Sequence, residues 1–136
     1  MRRTAIPAYP LLVPDPRDAA IQDTERLIAA VHELVVALRA NDEVYRKGLS
    51  ALSNGTAIRE ILELTNAARA RKVLADALAN FEESRHQSRR SMITAGLEEG
   101  MNLTELSEGW GFSRQLTGRY AKEANVIPRG LPSRDP

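Results

Sequence analysis

The stretch 88-SRRSMITAGLEEGMNLTELSEGWGFSRQLTGRYAKEA-124 decides the fold, because three helices and the two turns between them can be read from it residue by residue. Arg89 to Glu99 has helical character, with Met92, Ile93 and Leu97 expected to face inward. Gly100 follows, and glycine tolerates the left-handed backbone on which helices end. Asn102-Leu103-Thr104-Glu105 has a side-chain acceptor before the helix and a carboxylate three positions on. These satisfy two orphan amides reciprocally, as a capping box does. A short helix carrying Leu103, Leu106 and Trp110 is expected next. Gly111 stops it, Phe112 turns into the core, and Ser113 caps a last helix beginning Arg114-Gln115-Leu116.

In these features the segment resembles the helix-turn-helix superfamily of bacterial and phage DNA-binding regulators. The features are small Ser107 where two helices cross, Gly111 in the turn four residues later, apolar Phe112 after it, the Ser113-Arg114-Gln115 opening, and Tyr120 at a core place near the end. The resemblance covers about a quarter of the chain. It departs from the superfamily at Thr117, where Val or Ile is usual and where a small rotation could bring Leu116 in as substitute. It implies double-stranded DNA as partner, with residues 113–124 as the recognition segment. A helix about 10–12 Å across fits a major groove about 12 Å wide. Arg114 would pair with guanine and Gln115 with adenine. Gly118 would let the backbone approach the DNA, Arg119 and Lys122 would reach base or phosphate, and Ser113 would open an anion-binding helix start. Arg89 and Arg90, in a basic cluster with Arg85 and His86, are read either as phosphate clamps or as solvated surface.

Upstream, Asp15-Pro16-Arg17-Asp18 is a helix start, with a capping carboxylate, a proline at the first helical position and an acid against the dipole. Ile21, Thr24, Ile28, Val31, Val35, Leu38, Asp42, Tyr45, Leu49 and Leu52 then follow alternating steps of three and four, a heptad seam flanked by Leu27 and Leu34. Asn41-Asp42 and Gly48 are places where this helix could break. Ser53-Asn54-Gly55-Thr56 is turn chemistry, with Thr56 expected to cap a second helix. That helix carries Ile58, Ile61, Leu62, Thr65, Ala68, Ala75, Leu78 and Phe81 on one side. Its many alanines would let a neighbour approach closely. The expected fold is all-α: a long antiparallel, coiled-coil-like helical hairpin followed by a C-terminal helix-turn-helix unit. The boundaries are 1–14 for a flexible Pro-rich arm, 15–83 for the hairpin, 84–125 for the DNA-binding unit and 126–136 for a flexible tail.

A lone hairpin leaves the Ile/Leu/Val stripe wet, so a homodimer is expected, held by Ile21, Ile28, Val31, Val35, Leu38 and Leu49. The alternative is a monomer whose C-terminal unit covers the seam.

Composition bounds the remaining classes. Residues 18–83 hold 8 Lys and Arg against 11 Asp and Glu, a balance of −3, whereas residues 84–134 hold 8 against 5, a balance of +3. Nucleic-acid contact therefore falls to the C-terminal part. There is no cysteine, which excludes disulfides and thiolate metal sites. No apolar run has the length of a secretory signal or a membrane span, so a cytoplasmic location, at the nucleoid, is expected, with no membrane partner. His32 and His86 lack companion ligands at metal spacing. Glu82-Glu83 and Glu98-Glu99 fall on solvated helix positions, and no nucleophile arrangement or phosphate-cradling loop occurs. No metal, cofactor, small-molecule ligand or catalytic residue is expected, and the chain reads as a non-enzyme. Two alternatives to a transcription regulator stay open: a nucleoid-associated architectural protein that bridges DNA, and a protein-interaction module with a helix-turn-helix shape.

Overall fold

The computed structural model describes residues 15–123; the arm assigned to 1–14 and the tail assigned to 126–136 lie outside the described residues. The described chain is all-helical, with the order α1 Pro16–Ser53, α2 Ile58–Thr65, α3 Ala67–Glu98, α4 Leu103–Trp110 and α5 Arg114–Glu123. The described residues divide into two units, 24–86 and 15–23 with 87–123, and both boundaries fall inside continuous helices.

Within residues 24–86, α1 and α3 run antiparallel, since Glu33 meets Asn80 while Asn41 meets Ala70. The face of α1 withdrawn from solvent is Leu27, Ala30, Leu34, Ala37, Asn41, Val44, Gly48 and Ala51, again in steps of three and four. On α3 the equivalent face is Ala67, Ala70, Leu74, Ala77, Phe81 and Ser84. Both seams alternate large and small side chains. Small residues let helix backbones approach closely, so the pair fits alanine better than isoleucine. The inner seam therefore lies one residue behind the stripe of larger side chains that the periodicity singles out, and that stripe stays exposed. Asn41 does not break α1. Its buried Nδ2 donates to the carbonyls of Ala37 and of Ala70 on α3, each at 3.0 Å, so the amide is satisfied and sets the register, as a polar core position does in coiled coils. Gly48 is accommodated without a break as well, its absent Cβ facing Ile61 at 3.9 Å.

The second helical segment differs from the expectation of one helix. Asn66, with φ 50°, takes a left-handed backbone and separates α2 from α3. Asparagine is among the few non-glycine residues that tolerate this conformation, and it carries no proline or glycine signal to read in advance. Ala57, not Thr56, occupies the cap position of α2, and no side chain caps it. Of the residues assigned to the inward side, Ile61 is buried, whereas Ile58, Leu62 and Leu78 are exposed. α3 then continues without interruption through residue 84, so Arg89–Glu99 is the end of a long helix and not a separate one.

The other unit is built on Ile93, Leu97, Leu103, Leu106, Tyr120 and Ala121, with Met101, Phe112 and Leu116 packed against them. α1 begins here. The Asp15 carboxylate accepts from the Arg17 amide at 2.9 Å, and Asp23 accepts from the Ser91 hydroxyl on α3. Just past the end of α3 Gly100 has φ 96°, and there the Met101 amide returns to the Gly96 carbonyl and the Gly100 amide to Leu97; this closes the orphan carbonyls in a Schellman motif. Gly96 itself is a point of close approach. A Cβ there would lie 2.7 Å from Leu106 Cδ2 and 3.3 Å from Met101 Sδ, so α4 packs where α3 has no side chain. The capping box at Asn102 and Glu105 forms in both directions, each bond 2.9 Å. Met92 is 40% exposed and not inward-facing as expected, and Trp110, grouped with Leu103 and Leu106 on the short helix, is 38% exposed whereas those two are buried.

Candidate nucleic-acid interface

α4, the turn at Gly111 and α5 form the segment singled out from sequence. Gly111 has φ 75°, and its amide and that of Phe112 both return to the Ser107 carbonyl, at 2.9 and 3.0 Å. This left-handed step ends α4 and redirects the chain within two residues. Ser113 then starts α5, its Oγ accepting from the Leu116 amide at 3.1 Å.

The inner side of α5 is Thr117, Tyr120 and Ala121, all buried, with Leu116 half-buried. Leu116 does not replace Thr117. Thr117 is fully buried, and its hydroxyl lies 3.0 Å from Ser107 Oγ and 3.1 Å from the Ser113 carbonyl. Ser107, itself buried, also donates to the Leu103 carbonyl at 2.6 Å. A pair of hydroxyls thus joins α4 to α5 where apolar side chains would otherwise meet. Each buried hydroxyl keeps a partner, so the departure from an apolar residue carries no desolvation penalty of an unpaired group.

The outer side of α5 carries Arg114, Gln115, Arg119 and Lys122, all exposed. No hydrogen bond or ion pair engages these four side chains among the described residues. Their spacing places them together on one face over two turns. Gly118, expected on that face, is instead half-buried and turned toward α4, with its absent Cβ 3.9 Å from Leu103 Cδ1. That is ordinary van der Waals distance. Gly118→Ala is therefore expected to stabilise this unit by about 0.5–1 kcal/mol through helix propensity, read as a rise in its denaturation midpoint. A fall in stability would show that the glycine is needed for packing.

Arg89 and Arg90 are not on the outer face of α5. The Arg89 guanidinium lies 4.7 Å above the Phe112 ring, and Phe112 in turn stacks on Trp110 at 5.6 Å and on Tyr120 at 6.2 Å. Arg90 approaches Glu123 at 3.9 Å. Both arginines are half-buried and brace the ends of the α4–α5 segment from α3. Arg85, in the other unit, pairs with Glu82 at 2.7 Å and lies over Phe81. The placing of Arg89 over the Phe112–Trp110 pair went unread in the sequence; Arg89 lies more than 20 positions before the two rings, and only the fold brings it to them.

The stripe assigned to self-association is exposed throughout: Ile21 52%, Ile28 54%, Val31 41%, Val35 38%, Leu38 49% and Leu49 65%. Within it, Asp42 accepts from Arg46 Nε at 2.8 Å, a bond that raises the guanidinium's affinity for its proton. On the opposite flank of the same unit, Val36 and Val73 sit in a shallow groove with His32, Glu33, Asp76 and Asn80, a volume of about 590 Å³. No three His, Asp or Glu side chains converge as metal ligands among the described residues, and no described helix is long and apolar enough to cross a membrane. No family model, curated protein or solved structure compared with the chain matches it.

Proposed function

We propose that the chain is a dimeric DNA-binding protein, a helical hairpin carrying a helix-turn-helix unit whose last helix reads the major groove as a transcription regulator does. One observation carries the reading: α5 is anchored by a buried inner face and presents the side chains of Arg114, Gln115, Arg119 and Lys122 outward, without partners among the described residues. Protein-docking hot spots are rich in Trp and Tyr as well as Arg, and none of these four residues is aromatic. This face instead offers a guanidinium and an amide near a helix start, the groups suited to two-pronged bonds with guanine and adenine. Arginine and lysine one to two turns on are suited to phosphates. The glycine-ended turn and the Ser107–Thr117 bond support the reading by holding α5 rigid against α4, so that little side-chain and backbone entropy remains to be lost on docking.

The test is selection of bound sequences from a random duplex pool, followed by affinity measurements across salt. A sequence-specific reader yields an enriched motif, and its affinity falls steeply between about 50 and 200 mM salt. Broad, length-dependent coverage without a motif would point to an architectural role instead. Absence of duplex binding at 50 mM salt would overturn the proposal.

A further inference from the structure

We propose that two copies of this chain pair through the exposed stripe of α1 with the two α1 helices antiparallel, the two-fold axis crossing between Val35 and Leu38. The inference rests on the dimer of the preceding section and specifies its geometry. In the antiparallel α1–α3 pair, residues one position before each inner seam share one side, as the Glu33–Asn80 bond of 2.9 Å shows. That side is mainly polar. Residues one position after each seam share the other side, and there α1 presents Ile28, Val31, Val35, Leu38, Tyr45 and Leu49, with Leu78 on α3, all between 38% and 65% exposed. The six α1 residues alone expose on the order of 600 Å² per copy, near the roughly 800 Å² per partner of a specific interface.

A second copy is the occupant because the stripe complements itself. With the axis between Val35 and Leu38, Val35 meets Leu38, and Ile28 meets Tyr45. Asp42, the single charge in the stripe, then meets Val31, beside which it keeps its bond to Arg46. The two Asp42 carboxylates stand 11 residues apart along the axis, about 16 Å. A parallel pairing sets Asp42 directly against its own copy, and like charges facing across a seam repel.

The chain has no cysteine, so Glu25→Cys places a single spin label beside the stripe without replacing an apolar member or the Arg46 partner of Asp42. Sedimentation of the unlabelled chain comes first. A monomer at tens of micromolar would overturn both the dimer and this geometry. For a dimer, the proposal expects a label-to-label distance near 35 Å at position 25. A distance below about 20 Å there would overturn the antiparallel register while leaving the dimer intact. A label-free check is Asp42→Asn. It should change the dimerisation constant by less than about threefold here, whereas a parallel dimer, relieved of facing carboxylates, would tighten about tenfold or more.

Discussion

Ile93→Ala is expected to destabilise the α4–α5 unit by about 2–5 kcal/mol, the largest stability loss of any single substitution considered. Ile93 is fully buried among Leu97, Leu103, Leu106, Tyr120 and Ala121. Truncation removes three carbons from a site enclosed by helices α3, α4 and α5. Two constraints limit relaxation into the void: α4 is held by the capping box at its start, and α5 is held to α4 by the Ser107–Thr117 bond. Collapse would have to break one of them, so most of the cavity should persist. The chain has one tryptophan, Trp110, stacked on Phe112 in this unit, and its fluorescence reports the transition. Chemical denaturation should show the midpoint falling sharply while Met92→Ala, one residue away but 40% exposed, shifts it by less than about 1 kcal/mol. Equal effects at the two positions would mean that the core is not organised around Ile93.

The second large effect is on binding. Arg114→Ala and Gln115→Ala should each cost about 1–3 kcal/mol of discrimination between preferred and altered base pairs, roughly 5- to 150-fold in relative affinity. Both side chains are exposed and make no bond among the described residues. Neither truncation should therefore move the Trp110-detected midpoint by more than about 0.5 kcal/mol, which separates lost recognition from lost folding. Arg119→Ala and Lys122→Ala should act differently, weakening all duplexes alike and lowering the salt slope by about one each. Arg89→Ala removes a cation from above Phe112, so it should lower stability as well as binding, and it is the less clean probe of a phosphate contact. If Arg114→Ala and Gln115→Ala left the sequence preference of the selected motif unchanged, α5 would not be the reading helix.

Much of the α4–α5 segment was legible because its signals are local. Asn102 and Glu105 reach each other across three residues, Ser113 reaches the Leu116 amide, and Gly100 and Gly111 end helices by their own backbone freedom. None of these needs a distant partner. The same holds for Asp15 and Pro16 at the start of α1. Reading was poorer where burial by a remote element decides. Met92 and Trp110 are apolar at plausible core spacings, yet the chain leaves both exposed, and Thr117 is buried because Ser107, ten residues earlier, offers its hydroxyl a partner.

The amino-acid sequence by itself determined that this protein is helical, where most of its helices start and stop, and which polar residues gather on one side of α5, since capping bonds, glycine backbones and a 3.6-residue repeat act within a turn or two. Only the tertiary structure decided which stripe of α1 is inside. Periodicity favours Ile28, Val31, Val35 and Leu38 as the most apolar row, but the neighbouring row with Ala30, Ala37 and Asn41 is the buried one. The contact between two helices is won by close backbone approach and a satisfied amide, quantities that depend on what the facing helix presents and that no single helix encodes.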